Sequence, residues 1–346
     1  MKDVVPFFVN TPWALALGKI TIFLIILLSM ISYMVLAERR ICAFIQDRLG
    51  PNRVGPFGLL QPIADGLKFL FKENVLPQHV NKFYYLLAPI MSMIPALLIF
   101  AVIPFGSTLG GVPMVIANLN VGILWVFSIA SLGVYGIVLA GWASNSKYPF
   151  LGGIRSSAQI ISYEIPMGLS VVGIFMIVGS LNLMRVVEYQ SNVWLIFKQP
   201  LGFFIFLVAS FAETNRLPFD LSESEQELVG GYHTEYGGMK FALFFLAEYA
   251  NVIAASALMV TLFFGGWQMP FISLANLNPW FVGLLHIVSF SIKLLLFLLL
   301  FIWVRWVIPR FRYDQLMHLG WKVFIPLGLA NILITGLVLA FQTLKI

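Results

Sequence analysis

The sequence predicts an all-α integral membrane protein with about eight transmembrane helices and one amphipathic interfacial helix. Three observations carry this reading. Of the 346 residues, 60% are hydrophobic and only 10% are charged, with a mean hydropathy of +0.92. Runs of about 20 apolar residues recur along the chain, each long enough to cross the hydrocarbon as a helix that satisfies its own backbone. The charges gather between those runs, and the few left inside them stand out.

The apolar runs place spans at roughly 12–37, 84–104, 121–142, 159–180, 200–216, 241–264, 282–307 and 322–343, within one membrane domain covering 1–346. The first run continues into Ala37-Glu38-Arg39-Arg40 without a small-residue cleavage site, so it reads as a span rather than a cleaved signal. Segments 38–83, 143–158, 217–240 and 308–321 join the spans on one side. Loop 38–83 carries Arg39, Arg40, Arg48, Arg53, Lys68, Lys72 and Lys82, and Arg310 and Arg312 follow the seventh span, flanked by Arg305 and Lys322. Loops 105–120 and 265–281 carry no charge. The positive-inside rule therefore puts the four charged loops in the cytoplasm and both termini on the outer side. Topology and anionic lipid account for the net charge of +6, so no nucleic-acid partner is read from it.

Loop 38–83 is more than a linker. After a turn-rich basic tract punctuated by Gly50-Pro51 and Gly55-Pro56, the residues Gln61, Asp65, Lys68 and Lys72 recur at spacings of four, three and four. That spacing puts them on one stripe of a helix whose remainder is apolar, and Pro62 suits its first turn. The helix is too short and too amphipathic to span, so it should lie in the interface. It reads as a surface anchor or, more sharply, as a gate admitting a lipid-soluble molecule.

The stretch Glu213–Glu235 holds six of the chain's 15 acidic residues. Glu223, Glu225 and Glu227 fall within five positions, and like charges that close oppose one another's ionisation. A solvated acidic loop and a site of proton-coupled chemistry both fit this pattern. Four ionisable residues also sit where hydrocarbon should be: Glu164 and Glu248 in the fourth and sixth spans, Lys293 in the seventh, and Glu213 at the cytoplasmic end of the fifth. Each costs about 2.5–3.5 kcal/mol on insertion scales if unpaired. Pro166 denies the Ser162 carbonyl its helical partner, leaving a polar spot beside Glu164. Taken singly, each of these charges also fits interhelical glue. Three carboxylates at one depth, with a lysine as counter-charge, favour a proton relay.

The single cysteine, Cys42, rules out a disulfide framework or a cysteine-ligated iron–sulfur cluster held by this chain alone. His79, His233, His286 and His318 lack metal-ligand spacing, and no glycine-rich phosphate loop or nucleophile elbow occurs. Any redox carriers must sit on other chains.

The segments AERRICAFIQDRLGPNRVGPFGLLQPIADGLKFLFKE, GWASNSKY, SYEIPMGLS, AETNRLPFDLSESEQELVGGYHTEYGGMKFALFFLAEY and PRFRYDQLMHLGWK occur in that order and cover all four charged loops. They resemble the signature segments of one family, the membrane-embedded H subunits of the bacterial proton-pumping NADH:quinone oxidoreductase (respiratory complex I), equivalent to mitochondrial subunit 1. The resemblance implies a multi-pass protein of the bacterial inner membrane, where the membrane arm meets a hydrophilic arm that carries FMN and iron–sulfur clusters. It implies quinone as substrate, reduced in the hydrophilic arm at the far end of a cavity whose membrane-facing mouth this chain forms. The residues matching the family's cavity are Arg39, Arg48, Asp65 and Lys68, with Glu213, Arg216, Asp220, Glu223, Glu225 and Glu227 in its acidic funnel. Glu164 and Glu248 match the start of the charged axis into antiporter-like subunits. A stand-alone proton-coupled transporter and an anchor for a hydrogenase-type or other dehydrogenase arm are the alternatives. The first loop has no counterpart after the fifth span, which counts against the internal repeat of a transporter.

Overall fold

The computed structural model describes residues 12–109, 112–221, 225–269 and 278–344. Its contacts divide into two units, Met1–Lys68 and Phe69–Ile346. The first is built on α1 (Pro12–Ile45), whose 34 residues run past the predicted span and carry Arg39 and Arg40 on continuous helix. The helix stops where Asp47 takes a left-handed backbone (φ 51°), a conformation aspartate tolerates better than most residues. In the turn-rich tract that follows, a Cβ on Gly58 would fall 2.3 Å from the Pro51 carbonyl oxygen at φ +72°, so only glycine fits. The amphipathic stripe forms α2 (Gln61–Phe71), no residue of which is buried. The division between units falls inside it, after Lys68.

The second unit contains α3 (Lys82–Leu98, drawn out by a 3-10 turn to Val102), α4 (Gly122–Ala143), α5 (Lys147–Val178), α6 (Leu183–Tyr189) and α7 (Pro200–Glu213). They are followed by α8 (Gly238–Phe263), α9 (Pro279–Val307), α10 (Tyr313–His318) and α11 (Ile325–Leu344), the last two joined by a π turn. The strands β1 (Thr108–Leu109) and β2 (Val112–Pro113) pair as a short antiparallel ribbon. The core lies along α8, which is buried at every residue from Val252 to Phe263. A helix apolar all round has no face to give to solvent or lipid. It packs against α3 and α9, while α4 bridges α3 and α5, and α5 holds α7 and α11.

Seven helices are long and apolar enough to cross a membrane among the described residues. The fifth expected span, 200–216, is shorter than predicted: α7 has 14 residues, about 21 Å of rise against roughly 30 Å of hydrocarbon. Buried amides clamp it at both ends. Ahead of α7, Gln199 donates to Thr335 Oγ1 (2.7 Å) and accepts from Asn331 (2.8 Å), both on α11. Past its last residue, Gln159 of α5 donates to the carbonyls of Ala212 (2.7 Å) and Phe219 (2.8 Å) and to Asn215 Oδ1 (3.1 Å). Asn215 is itself left-handed (φ 51°) and donates to Ser156 Oγ at 3.0 Å.

A second difference lies in 143–158, expected as a loop. All but its first few residues are the opening turns of α5, because Pro149 falls in the first turn, where a missing N–H is harmless, and nothing downstream breaks the helix before Gly179. This extension lets Gly152 meet Gly231, where a Cβ on Gly152 would lie 2.7 Å from the Gly231 Cα. Gly152→Ala should therefore displace backbone at about 1–3 kcal/mol and lower the thermal midpoint of the purified chain in detergent by several degrees. Gly168→Ala on the same helix, with nothing within 4 Å, should not. Equal midpoints would show that the two backbones do not meet so closely.

Candidate functional site

A cavity of about 80 Å³ lies within the second unit, lined on its polar side by Ser92, Glu213, Thr214, Asn215, Glu248 and Asn251. One water needs roughly 10–15 Å³ on the same measure, so there is room for several. The clamped end of α7 brings Glu213 to this cavity, and Glu248 reaches it from the still-polar first half of α8. Ile160 and Met167 of α5 line it too, and they stand one turn either side of Glu164. Glu164 is half-buried, hydrogen-bonded to Ser131 of α4, and within Coulombic reach of Glu213.

Arg216 stands three residues after Glu213, and on a continuous helix the two would be neighbours. The helix ends at Glu213, however, and the left-handed Asn215 redirects the chain. The guanidinium instead meets Glu248, Nε to Oε1 at 2.7 Å, and lies over the Tyr249 ring at 4.3 Å. Both side chains of this ion pair are more than four-fifths buried. Asp220 takes an arginine from the far end of the chain, Arg310, at 3.1 Å. Burial raises the pKa of its carboxyl, against the pull of Arg310, Arg305 and Arg216, and one carboxylate oxygen has no hydrogen-bond partner among the described residues.

Glu227 pairs with Arg155 at 2.6 Å on an exposed edge. Glu225 opens a single helical turn, Glu225–Leu228, while its side chain and the whole of Glu223 lie outside the described residues. Lys293 stands apart from the carboxylates. Its ammonium donates to the carbonyls of Phe264 (2.9 Å), Gly266 (2.9 Å) and Gln268 (2.6 Å) and lies over the Trp194 ring. Phe264 is 16 residues beyond Glu248, about 24 Å along α8. In the first unit, Arg39 bridges to Asp65 at 2.7 Å, Gln61 donates to the same carboxylate (3.1 Å), and Arg48 bonds Gln46 at 2.7 Å. Lys68 follows Asp65 by one turn of α2.

The sequence profile of the NADH dehydrogenase family matches residues 18–336. The chain is 53% identical over 333 residues to the first of the NADH-quinone oxidoreductase H subunits of Geobacter metallireducens, covering 95% of this chain and 98% of that protein. It is 52% identical over 335 residues to the corresponding H subunit of Leptospira biflexa (92% and 93%), and 53% identical over 317 residues to "NADH-quinone oxidoreductase subunit 8" of Rhodothermus marinus (88% and 92%). The chain belongs to the family of NADH-quinone oxidoreductase H subunits.

Much of what positions the site in this member of the family is uncharged. Gln159, Asn215, Gln199 and Ser131 were not singled out by sequence reasoning, because a neutral polar residue within or beside an apolar run carries little signal of its own. Lys240 was passed over too: it donates to the Val75 carbonyl (2.9 Å) over the face of Tyr85, which stacks on Tyr236 at 4.1 Å. That stack roots the C-terminal end of the acidic stretch. His233 lies in it, edge-on to Tyr232 and Phe241, and burial pushes its imidazole down to about 4. The folded state thus favours the neutral ring. The stability this gives is whole above pH 6.5 and lost as pH falls from 6.5 through 4, reaching about 3 kcal/mol. His233→Phe keeps the ring contacts, so its thermal midpoint should fall less than the wild type's between pH 7 and pH 4. Parallel pH curves would contradict the buried neutral imidazole.

Proposed function

We propose that this chain is the membrane subunit of a proton-translocating NADH:quinone oxidoreductase that admits quinone from the bilayer and couples its reduction to proton movement. The observation that carries the coupling half is the cavity, with two carboxylates on its wall, a third beside it and a single arginine paired to one of them. The names of the relatives, which covered at least 88% of this chain in each comparison cited, support the enzyme class. NADH oxidation, FMN and the iron–sulfur clusters are assigned to partner subunits of the hydrophilic arm, and other membrane-arm subunits cover the flanks. The chain sits in the bacterial inner membrane with both termini on the outer side, as its loop charges imply.

In this reading Arg39, Arg48, Asp65 and Lys68 form the quinone mouth, and the apolar face of α2 lies among the lipids that deliver the substrate. Reducing a quinone takes up two electrons and two protons, which changes the charge that Asp220, Glu223, Glu225 and Glu227 face. Each unit of pKa displaced in a carboxyl is worth about 1.4 kcal/mol, and moving one charge against 100 mV takes about 2.3 kcal/mol. A few such displacements therefore match the work of pumping. Glu213, Glu248 and Glu164 form the relay that receives the disturbance, with Arg216 exchanging its attraction among carboxylates as they gain and lose protons. Lys293 is assigned to closing the opposite end of α8: its three protons are all engaged by carbonyls, and it lies too far from Glu248 for direct transfer.

The relay differs from interhelical glue in one measurable respect. A relay residue must gain and lose a proton, whereas glutamine offers similar size and hydrogen bonding without titrating. Glu164→Gln and Glu248→Gln should assemble normally but lose most quinone reductase activity and the proton gradient, and aspartate should retain part of both. Turnover and proton uptake in vesicles, normalised to assembled complex, measure this. Full activity in both glutamine variants, alone and together, would leave the carboxylates as packing groups.

The mouth is tested separately. Arg48→Ala and Lys68→Ala should lower quinone reduction several-fold while NADH oxidation by a water-soluble acceptor stays intact. Parallel loss of both activities in assembled complex would make these residues structural.

A further inference from the structure

Serines in membrane helices routinely donate back to the carbonyl four residues earlier, as Thr21, Ser29 and Ser32 do in α1. Ser131, on α4, has that contact and one more. Its Oγ lies 2.9 Å from the Phe127 carbonyl and is also in hydrogen-bond contact with Glu164 Oε1 on the neighbouring α5. A hydroxyl carries one proton and two lone pairs, and a carbonyl only accepts. The one hydroxyl proton can be placed in two ways. With Glu164 ionised, the Ser131 proton points at the carboxylate. With Glu164 protonated, the carboxylic O–H donates to Oγ, and the Ser131 proton turns to the Phe127 carbonyl. Rotation about one bond, Cβ–Oγ, exchanges them without moving the backbone. A donor-only side chain would serve one state of the carboxyl and an acceptor-only side chain the other; a hydroxyl serves both.

We infer that Ser131 is a positioning residue for proton transfer at Glu164, holding the carboxyl in one place through both of its protonation states. The inference rests on the relay reading of Glu164. Ala130 and Phe127, the immediate neighbours of Ser131 along the chain and one turn back, line the cavity. The charged group interacting with Glu164 is Glu213 at the end of α7, and Glu248 of α8, with its partner Arg216, lines the same cavity as Phe127 and Ala130. The hydroxyl is neutral, so removing it leaves the charge among these groups as it was.

The test uses the assembled complex with Glu164→Gln, Ser131→Ala, and the same-shaped pair Ser131→Thr and Ser131→Val, which separates the hydroxyl from packing. Redox-triggered infrared difference spectra in the carboxylic C=O region are read beside quinone-dependent turnover, normalised to NADH oxidation by a water-soluble acceptor. Glu164→Gln should remove one band. Ser131→Ala and Ser131→Val should keep that band at a displaced frequency and lower turnover roughly ten-fold, the effect of losing one hydrogen bond to a charged group. Ser131→Thr should restore the frequency and most of the turnover. An unmoved band in the alanine and valine variants, or equal behaviour of threonine and valine, overturns the role of Ser131 and leaves the relay standing. Loss of no band in a fully active Glu164→Gln complex brings down the relay reading itself, and this inference with it.

Discussion

The Arg216–Glu248 ion pair is the interaction on which the second unit's polar interior depends. Each of its charges would cost several kcal/mol if buried alone, and removing one partner of such a pair typically costs about 3–5 kcal/mol. The pair also joins the chain that leaves α7 to the central helix α8. It is an uneven arrangement, with one guanidinium serving a cavity that Glu213 also lines and Glu164 adjoins. In the proposed relay, carboxyls that outnumber their counter-charges exchange protons as the field around them changes. The same imbalance that would be a defect in an ordinary core is what a proton-coupled device requires.

Neutral groups set the geometry, and charged groups are left for chemistry. The amides of Gln199, Gln159, Asn215 and Asn331 fix a helix too short to be fixed by span length, and none of them titrates in the physiological range. Because α7 stops short, its last residue, Glu213, lies on the cavity wall. Had α7 continued for another turn, Glu213 and Arg216 would have been adjacent on one helix face and neutralised each other locally. The helix break thus hands the arginine to Glu248 and leaves Glu213 facing the cavity.

The elements legible in the sequence were those written in apolar length and in charge. Seven spans, the amphipathic α2 and the burial of Glu248 all follow from counting residues against hydrocarbon thickness and helical period. Two differences have different causes. The length of α7 is set by hydrogen bonds between residues 53 to 136 positions apart, which no local window contains, whereas the helical start of α5 rests on the local compatibility of Pro149 with a first turn. The site divides the same way. The carboxyls could be found because a charge in an apolar run is conspicuous, whereas Arg155 as partner of Glu227, or Ser131 as partner of Glu164, becomes visible only once helices are packed. Lys293 was conspicuous too, but its partners were not: carbonyls beyond the last turn of a helix need donors, and those it meets become visible only in the fold.

That demand separates the two ends of α8. At the far end, an ammonium with three protons meets three carbonyls. Between there and Glu248 the helix carries Tyr249, Asn251, Ser256 and Thr261 but no carboxyl, histidine or lysine. Ser256 and Thr261 are fully buried, each bonded back to its own helix. At the near end, carboxyls from α8 and α7 share a space large enough for water, and Glu164 of α5 stands half-buried beside it. In the proposed relay a proton therefore finds carboxyls from helix to helix across the membrane plane, and none along α8 towards its far end. Under the proposed function, the consequence of quinone reduction then passes from helix to helix rather than along α8.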